Sequence, residues 1–153
     1  MRIVILENIR SLHNVGAIFR TADAAGWDKV ILTGYTGCPP DRRIEKVSLG
    51  AENFLPWEHY ENITEVLTTL KNDGFEVFAL EQSDTSVNLL DSTWKQSLPN
   101  NFALVLGNEV EGVSAETMNF VSRHIEIPMF GQKTSLNVSV AAGIAFYELP
   151  KPC

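Results

Sequence analysis

Arg2-Ile3-Val4-Ile5-Leu6-Glu7, Asn14-Val15-Gly16-Ala17-Ile18-Phe19-Arg20 and Lys29-Val30-Ile31-Leu32-Thr33 are the runs that decide the fold class. The first and third are short, apolar and rich in β-branched side chains, the composition of a buried strand. The second opens a helix: Val15, Ile18, Phe19, Ala22 and Ala25 fall on one apolar stripe, Asn14 is placed to cap it and Gly26 to stop it. At about 100° per residue, Arg20 lies roughly opposite the centre of that stripe, so the core does not claim it. It faces solvent, a partner or a substrate.

The same alternation continues along the chain. Strands are expected at residues 2–7, 29–33, 54–60, 75–81, 102–106 and 124–128, and helices at 15–25, 63–72, 115–121 and 138–148, with a shorter helix around 42–49. Strands alternating with helices predict an α/β fold, a mainly parallel sheet with helices on both faces. The last helix stands apart, because Val138, Val140, Ala141, Ala142, Ile144, Ala145 and Phe146 leave it hardly any polar face. A helix apolar all round needs cover on several sides, from the sheet and from a second subunit.

With 153 residues, 44% hydrophobic and 20% charged, the chain reads as one globular domain over residues 1–153. Twelve Lys and Arg against nineteen Asp and Glu give a net charge of −7, which excludes a general basic surface for gripping nucleic acid. The charge is uneven. Residues 1–50 hold seven basic and five acidic side chains, and residues 51–153 hold five and fourteen, so any polyanionic partner meets a local patch near the front. Cys38 and Cys153 are too few for a disulfide framework and form no ligand cluster with His13, His59 or His124, so no metal is expected and a reducing cytoplasm is the default. Glu7, Asn8 and Arg10 end the opening apolar run too early for a signal peptide, and no run reaches membrane-spanning length.

Three segments rich in glycine, asparagine and hydroxyl side chains follow directly after expected strands, where an open α/β sheet places its ligand crevice. In the middle one, Leu106-Gly107-Asn108-Glu109-Val110-Glu111-Gly112-Val113-Ser114, there is neither a Walker lysine nor GxGxxG spacing, so a nucleoside without phosphate suits it better than a phosphate cradle. Ser114 can cap the helix behind it, and a tight strand-to-helix turn is the plainer reading of the glycines. The third, Gly131 to Ala141, brings Lys133, Thr134, Ser135 and Asn137 to the start of the most apolar helix. Either Ser135 or Asn137 can serve as its cap, and one cap does not account for the whole cluster. The first holds Arg10, Asn14 and Arg20, and Arg42, Arg43 and Lys46 come later in the basic half. Arginine forks suit phosphate, which makes Arg10, Arg20, Arg42 and Arg43 the candidates for an RNA backbone. No nucleophile and base pair is recognisable. Trp27, Trp57, Trp94, Tyr35 and Tyr60 read as core or subunit-contact residues, with base stacking the lesser alternative.

Taken in order and spacing, Asn14-x-Gly16-x-x-x-Arg20, Leu106-Gly107-Asn108-Glu109 with Gly112, and Ile127-Pro128-Met129 followed by Ser135-Leu136-Asn137-Val138-Ser139-Val140-Ala141 resemble the three motifs of the SpoU (TrmH-like) branch of the SPOUT RNA methyltransferases. The resemblance runs from about residue 2 to residue 148, leaving no room for an appended RNA-binding domain. It implies a C-terminal deep trefoil knot, an exception to the rule that chains avoid knots. It implies S-adenosylmethionine in the knot loops, and a homodimer whose site joins motif 1 of one subunit to motifs 2 and 3 of the other. Carried over by position, Leu106, Gly107, Gly112, Ile127, Met129 and Leu136 hold the cofactor, while Asn14, Arg20, Glu109, Ser135 and Asn137 surround the reacting ribose.

The implied reaction moves a methyl group to a ribose 2′-oxygen, which calls for alignment, removal of one proton and no metal. A guanidinium is always charged, so Arg20 is expected to clamp the neighbouring phosphate and lower the hydroxyl pKa, with a phosphate oxygen or water taking the proton. Compact members of the family act on tRNA, some at the anticodon wobble position, so tRNA is the first expected substrate and rRNA the second. A catalytically silent RNA- or cofactor-binding module is the rival reading. A Rossmann enzyme is disfavoured, because a glycine-rich first turn is replaced by Glu7-Asn8-Ile9-Arg10.

Overall fold

A computed structural model describes residues 1–149; Cys153 lies outside the described residues. The chain order is β1 (Arg2–Glu7), α1 (Leu12–Ala24), β2 (Lys29–Thr33), α2 (Arg42–Ser48), β3 (Trp57–Tyr60), α3 (Ile63–Asn72), β4 (Glu76–Leu80), β5 (Val87–Asn88), β6 (Phe102–Leu106), α4 (Ala115–Phe120), β7 (Arg123–Glu126) and α5 (Val138–Glu148). The strands form one seven-stranded sheet in the order β3-β2-β1-β6-β4-β7-β5. Every pairing in it is parallel, as in Ile5↔Ile31, Ile5↔Val105, Phe78↔Leu104 and Ala79↔His124. An all-parallel sheet needs cover on both faces, and the alternation along β1 supplies apolar surface to each. Val4 and Leu6 pack with Val15, Ile18 and Phe19 of α1, Ile44 of α2 and Ala142, Ala145 and Phe146 of α5. Ile3 and Ile5 pack with Val66, Leu67 and Leu70 of α3 and reach Met118 and Phe120 of α4. Helices therefore lie on both faces, as expected.

Strand order departs from chain order in a way that matters for the site. β6 is laid between β1 and β4, and β7 between β4 and β5, so two late strands enter the sheet's interior. All five residues of β6 are buried, which is why its sequence is apolar without alternation. The end of the chain is tied back to its beginning. The buried Arg2 guanidinium donates to the carbonyls of Leu149 (3.0 Å), Gly26 (2.8 Å) and Ala25 (3.2 Å), and the Trp27 indole donates to the carbonyl of Phe146 (3.2 Å). Burial lowers the pKa of Arg2 despite the nearby Asp28 charge.

Several expected boundaries move. α1 starts at Leu12 instead of Val15, and its cap is Ser11, whose hydroxyl accepts the Asn14 amide at 3.2 Å. Asn14 cannot cap the helix, because it sits inside the first turn with its side chain committed elsewhere. β3 is only the second half of the expected 54–60, since Ala51–Asn53 form a 3-10 turn and Leu55 drops into the core. β7 ends at Glu126, before Pro128, which has no amide to give a ladder. The two-residue β5 and the 3-10 turn Trp94–Ser97 have no hydrophobic period and were not expected. Trp27 is core, Trp57 and Trp94 are half-buried, and Tyr35 and Tyr60 are exposed.

Candidate active site

The carboxyl ends of β4, β6 and β7 open on the same edge of the sheet, and the loops that follow them line a cavity of about 680 Å³. Leu106, Gly107, Gly112, Ile127, Met129 and Leu136, the six expected cofactor contacts, all line it, and so do Glu109, Ser135 and Asn137. Gly107 has no freedom to be anything larger. A Cβ there would run into the backbone of Gly112 and Val113, because the loop doubles back through the paired bonds Asn108 N–H to Gly112 O (3.1 Å) and Gly112 N–H to Asn108 O (2.9 Å). Leu106, Ile127, Met129, Leu136 and Val138 give the cavity apolar walls. A closely approached backbone with such walls suits a flat nucleoside and a thioether-like chain, so the residues present fit S-adenosylmethionine.

At the mouth of the cavity three motifs meet within one chain. The Glu109 carboxylate accepts the amides of Arg10 (2.9 Å) and Ser11 (2.9 Å) and the side-chain amide of Asn14 (3.1 Å). The Asn14 carbonyl oxygen in turn accepts from Asn137 Nδ2 at 3.3 Å. Asn137 is the cap of α5, its Oδ1 accepting the Ser139 amide at 2.9 Å and the Val140 amide at 3.4 Å. This decides the cap between the two candidates, and it leaves Ser135 exposed on the cavity wall. Partial burial pushes the Glu109 carboxyl up, but the hydrogen bonds from Ser11, Arg10 and Asn14 outweigh it and hold the group below the ordinary glutamate range. Glu109 is therefore an anionic anchor and a poor base. The arrangement aligns groups; it contains no strong proton acceptor of its own.

Arg20 is not brought to this cluster. It is exposed on α1, does not line the cavity, and makes no ion pair among the described residues. The expected division of motif 1 therefore needs amending: Asn14 joins Glu109 and Asn137 in its own chain, and only Arg20 points away. Gly16, between them, serves packing, because a Cβ would lie 2.5 Å from the Ile44 carbonyl of α2. Of the expected RNA contacts, Arg10 and Arg42 are exposed, whereas Arg43 is paired with Asp41, the cap of α2, at 2.9 Å. That pair is exposed and weak enough to yield to a phosphate.

The structure adds residues that sequence reading passed over. Asn108 uses its whole side chain: Oδ1 accepts the amides of Val110 and Glu111 (both 2.9 Å), and Nδ2 donates to Asn8 O (2.9 Å) and to Tyr35 Oη (2.7 Å). Glu81 accepts the Val113 amide at 3.1 Å, and Gln82 Nε2 donates to the Thr134 carbonyl at 2.8 Å, joining the loop after β4 to the motif-3 loop. Buried Glu7 accepts from Ser114 N–H (3.1 Å) and Thr117 Oγ1 (2.9 Å), fixing the start of α4. Glu7 and Glu81 end expected strands on the ligand edge, and that position was the signal available for them. No group of three or more His, Cys, Asp or Glu able to hold a metal gathers among the described residues, and no helix among them is long and apolar enough to cross a membrane.

Comparison with known proteins places this geometry. A tRNA (guanosine(18)-2′-O)-methyltransferase of Aquifex aeolicus is 37% identical over 147 residues, covering 95% of this chain and 67% of that one. The structure of an AdoMet-bound rRNA methyltransferase from Sinorhizobium meliloti superposes with a TM-score of 0.86 at 29% identity, covering 97% of this chain and 55% of its own. A structure described for the 2-OH methylation of C/U34 on tRNA superposes at 0.83 with 25% identity, covering 97% and 93%. The chain spans 57% of the length of staphylococcal relatives that it matches at 33% identity. The model of the SpoU rRNA Methylase family matches residues 1–147, the stretch that builds the sheet, the cavity and the Asn14–Glu109–Asn137 cluster, and the chain is a member of that family.

Proposed function

We propose that this chain is an S-adenosylmethionine-dependent methyltransferase acting on the ribose 2′-hydroxyl of RNA, with tRNA, at the wobble position, as first substrate and rRNA as second. The observation that carries the reading is the convergence of Asn14, Glu109 and Asn137 at the mouth of the cavity lined by Gly107, Ile127 and Met129. The C/U34 structure, which this chain matches over nearly the whole of both lengths, favours the wobble position. The cofactor supplies, when bound, an electrophilic methyl group. Leu106, Gly107, Gly112, Ile127, Met129 and Leu136 hold it, and Glu109 locks Asn14 and Asn137 so that the ribose meets a fixed hydrogen-bonding edge beside Ser135.

The protein acts as a homodimer in the cytoplasm. On α5, Tyr147 is 67% and Val140 52% exposed, an apolar face that a second copy covers. Arg20 then reaches the partner's cavity, clamps the phosphate beside the target ribose and lowers the hydroxyl pKa; the proton passes to a phosphate oxygen or to water. A deep trefoil knot is consistent with β7 lying between β4 and β5 and with α5 returning to the face of α1. The test is mass-spectrometric mapping of ribose methylation in RNA from cells lacking the protein. A single missing 2′-O-methyl mark, restored by the purified protein and cofactor, is the expected result. An unchanged methylation map, together with cofactor binding by the purified protein, would favour the catalytically silent module.

A further inference from the structure

Tyr35 is an aromatic side chain held out into solvent beside the candidate site. It follows β2 on the ligand edge of the sheet, and 62% of it is exposed. Exposed tyrosines usually move, but this one is fastened at both ends. Its amide donates to Asn8 Oδ1 at 3.2 Å, and its hydroxyl accepts from Asn108 Nδ2 at 2.7 Å. Both partners are themselves fixed. Asn8 sits in the left-handed region at φ 54° with its carbonyl bonded to Asn108, and Asn108 lines the cavity and pins the amides of Val110 and Glu111. The ring is thus tied to the loop that carries Glu109, while no aromatic or cationic side chain among the described residues covers it.

Holding an exposed ring this firmly costs side-chain entropy and gains little burial, so core packing does not explain it. A rigid aromatic face at the rim of a nucleic-acid site is what an unpaired base stacks on, because every base offers a π-face and the ring has no freedom left to lose. We propose that Tyr35 is a stacking platform for a nucleobase of the single-stranded RNA segment that enters the site, next to the nucleotide whose ribose faces Asn14 and Asn137. The inference rests on the RNA reading given above and refines it: the substrate presents splayed, unpaired bases, as a loop does, and not a continuous duplex. Arg10, exposed two residues beyond Asn8, takes the phosphate of the same segment.

Stacking and bracing predict different patterns of damage. Tyr35→Phe removes the bond to Asn108 and keeps the π-face; Tyr35→Leu removes both. Binding is measured with fluorescently labelled bulk tRNA and with a stem-loop RNA carrying 2-aminopurine in its loop, whose emission falls when the base is stacked. Wild type and Tyr35→Phe are both expected to quench the probe, with Tyr35→Phe binding about two- to threefold more weakly because its ring is no longer fastened, and Tyr35→Leu to bind about tenfold more weakly with the quench lost. S-adenosylmethionine affinity is expected to be the same in all three. Equal weakening by Phe and Leu would make Tyr35 a brace for Asn108, and an altered oligomeric mass for Tyr35→Leu would make it a subunit contact; either overturns the proposal. Methyl transfer assayed in parallel separates the two readings. Loss of binding by Tyr35→Leu without transfer by wild type sinks the enzymatic reading alone, unchanged binding with transfer sinks the stacking alone, and no RNA binding by wild type sinks both.

Discussion

Arg20 and Glu109 carry opposite charges and are asked for opposite things. Arg20 is exposed and unpaired among the described residues, so it costs the fold nothing to keep and can spend its fork on a phosphate. Arg20→Lys should leave cofactor affinity and melting temperature unchanged and lower kcat at least about tenfold, since an ammonium does not reproduce bidentate geometry. Single-turnover transfer to tRNA measures it; full turnover by the lysine variant would remove Arg20 from the chemistry. Glu109 accepts from Arg10, Ser11 and Asn14, and its folded-state pKa is depressed. Its stabilisation is therefore present above the ordinary glutamate pKa of about 4.3 and lost as pH falls through the lower folded value. The melting temperatures of wild type and Glu109→Gln should differ most at neutral pH and converge in acid, below about pH 4. A gap that stays constant into acid would mean that the carboxylate charge is not what anchors Arg10, Ser11 and Asn14.

Among the elements, α1 shows how one helix serves packing and site together. Its apolar stripe fills the core, Ser11 caps it, Asn14 leaves the first turn to reach Glu109, and Gly16 lets α2 approach. Gly16→Ala places a Cβ 2.5 Å from the Ile44 carbonyl and 3.0 Å from Val47 Cβ, so the two helices must part. Chemical denaturation should find a loss of about 1–3 kcal/mol with an unchanged m-value, the usual range for overpacking. The glycine of motif 1 looks like part of the chemistry when read along the chain, and wild-type stability in the alanine variant would restore it to that role. α5 is the counterpart: its first turn is pinned by Asn137, its middle is core through Ala142, Ala145 and Phe146, and its outer face remains apolar and open.

That open face belongs to the scale of the whole molecule. If Arg20 serves the partner's cavity, a site needs Arg20 from one copy and Asn137 from the other. Arg20→Lys and Asn137→Ala homodimers should each be strongly impaired. After dissociation and random reassociation in equal amounts, half of the dimers are mixed and one of their two sites is intact, so roughly a quarter of the wild-type rate returns. Mixing without recovery would place Arg20 in its own chain's site or outside the reaction.

What the sequence settled by itself was local. Six of the seven strands and every α-helix were legible from the period of their apolar residues, and the cavity lining at Gly107, Gly112, Ile127, Met129 and Leu136 from the resemblance of the motifs to those of the family. The boundary errors share a cause: Ser11, Leu55 and Pro128 act through a hydrogen bond, a core contact and a missing amide, none of which carries a period. The two-residue β5 is missed for the same reason, being too short to show one, and the merging of 54–60 into a single strand cost only its boundary. Only the tertiary structure decided which loops meet. β6 and β7 enter the sheet between earlier strands, and that order, set by which buried faces complement each other, brings Asn14 to Glu109 and Asn137 across most of the chain and fastens Tyr35 to Asn108. Periodicity reports which side of an element is buried, since burial follows its own repeat; it holds no record of the neighbour that does the burying.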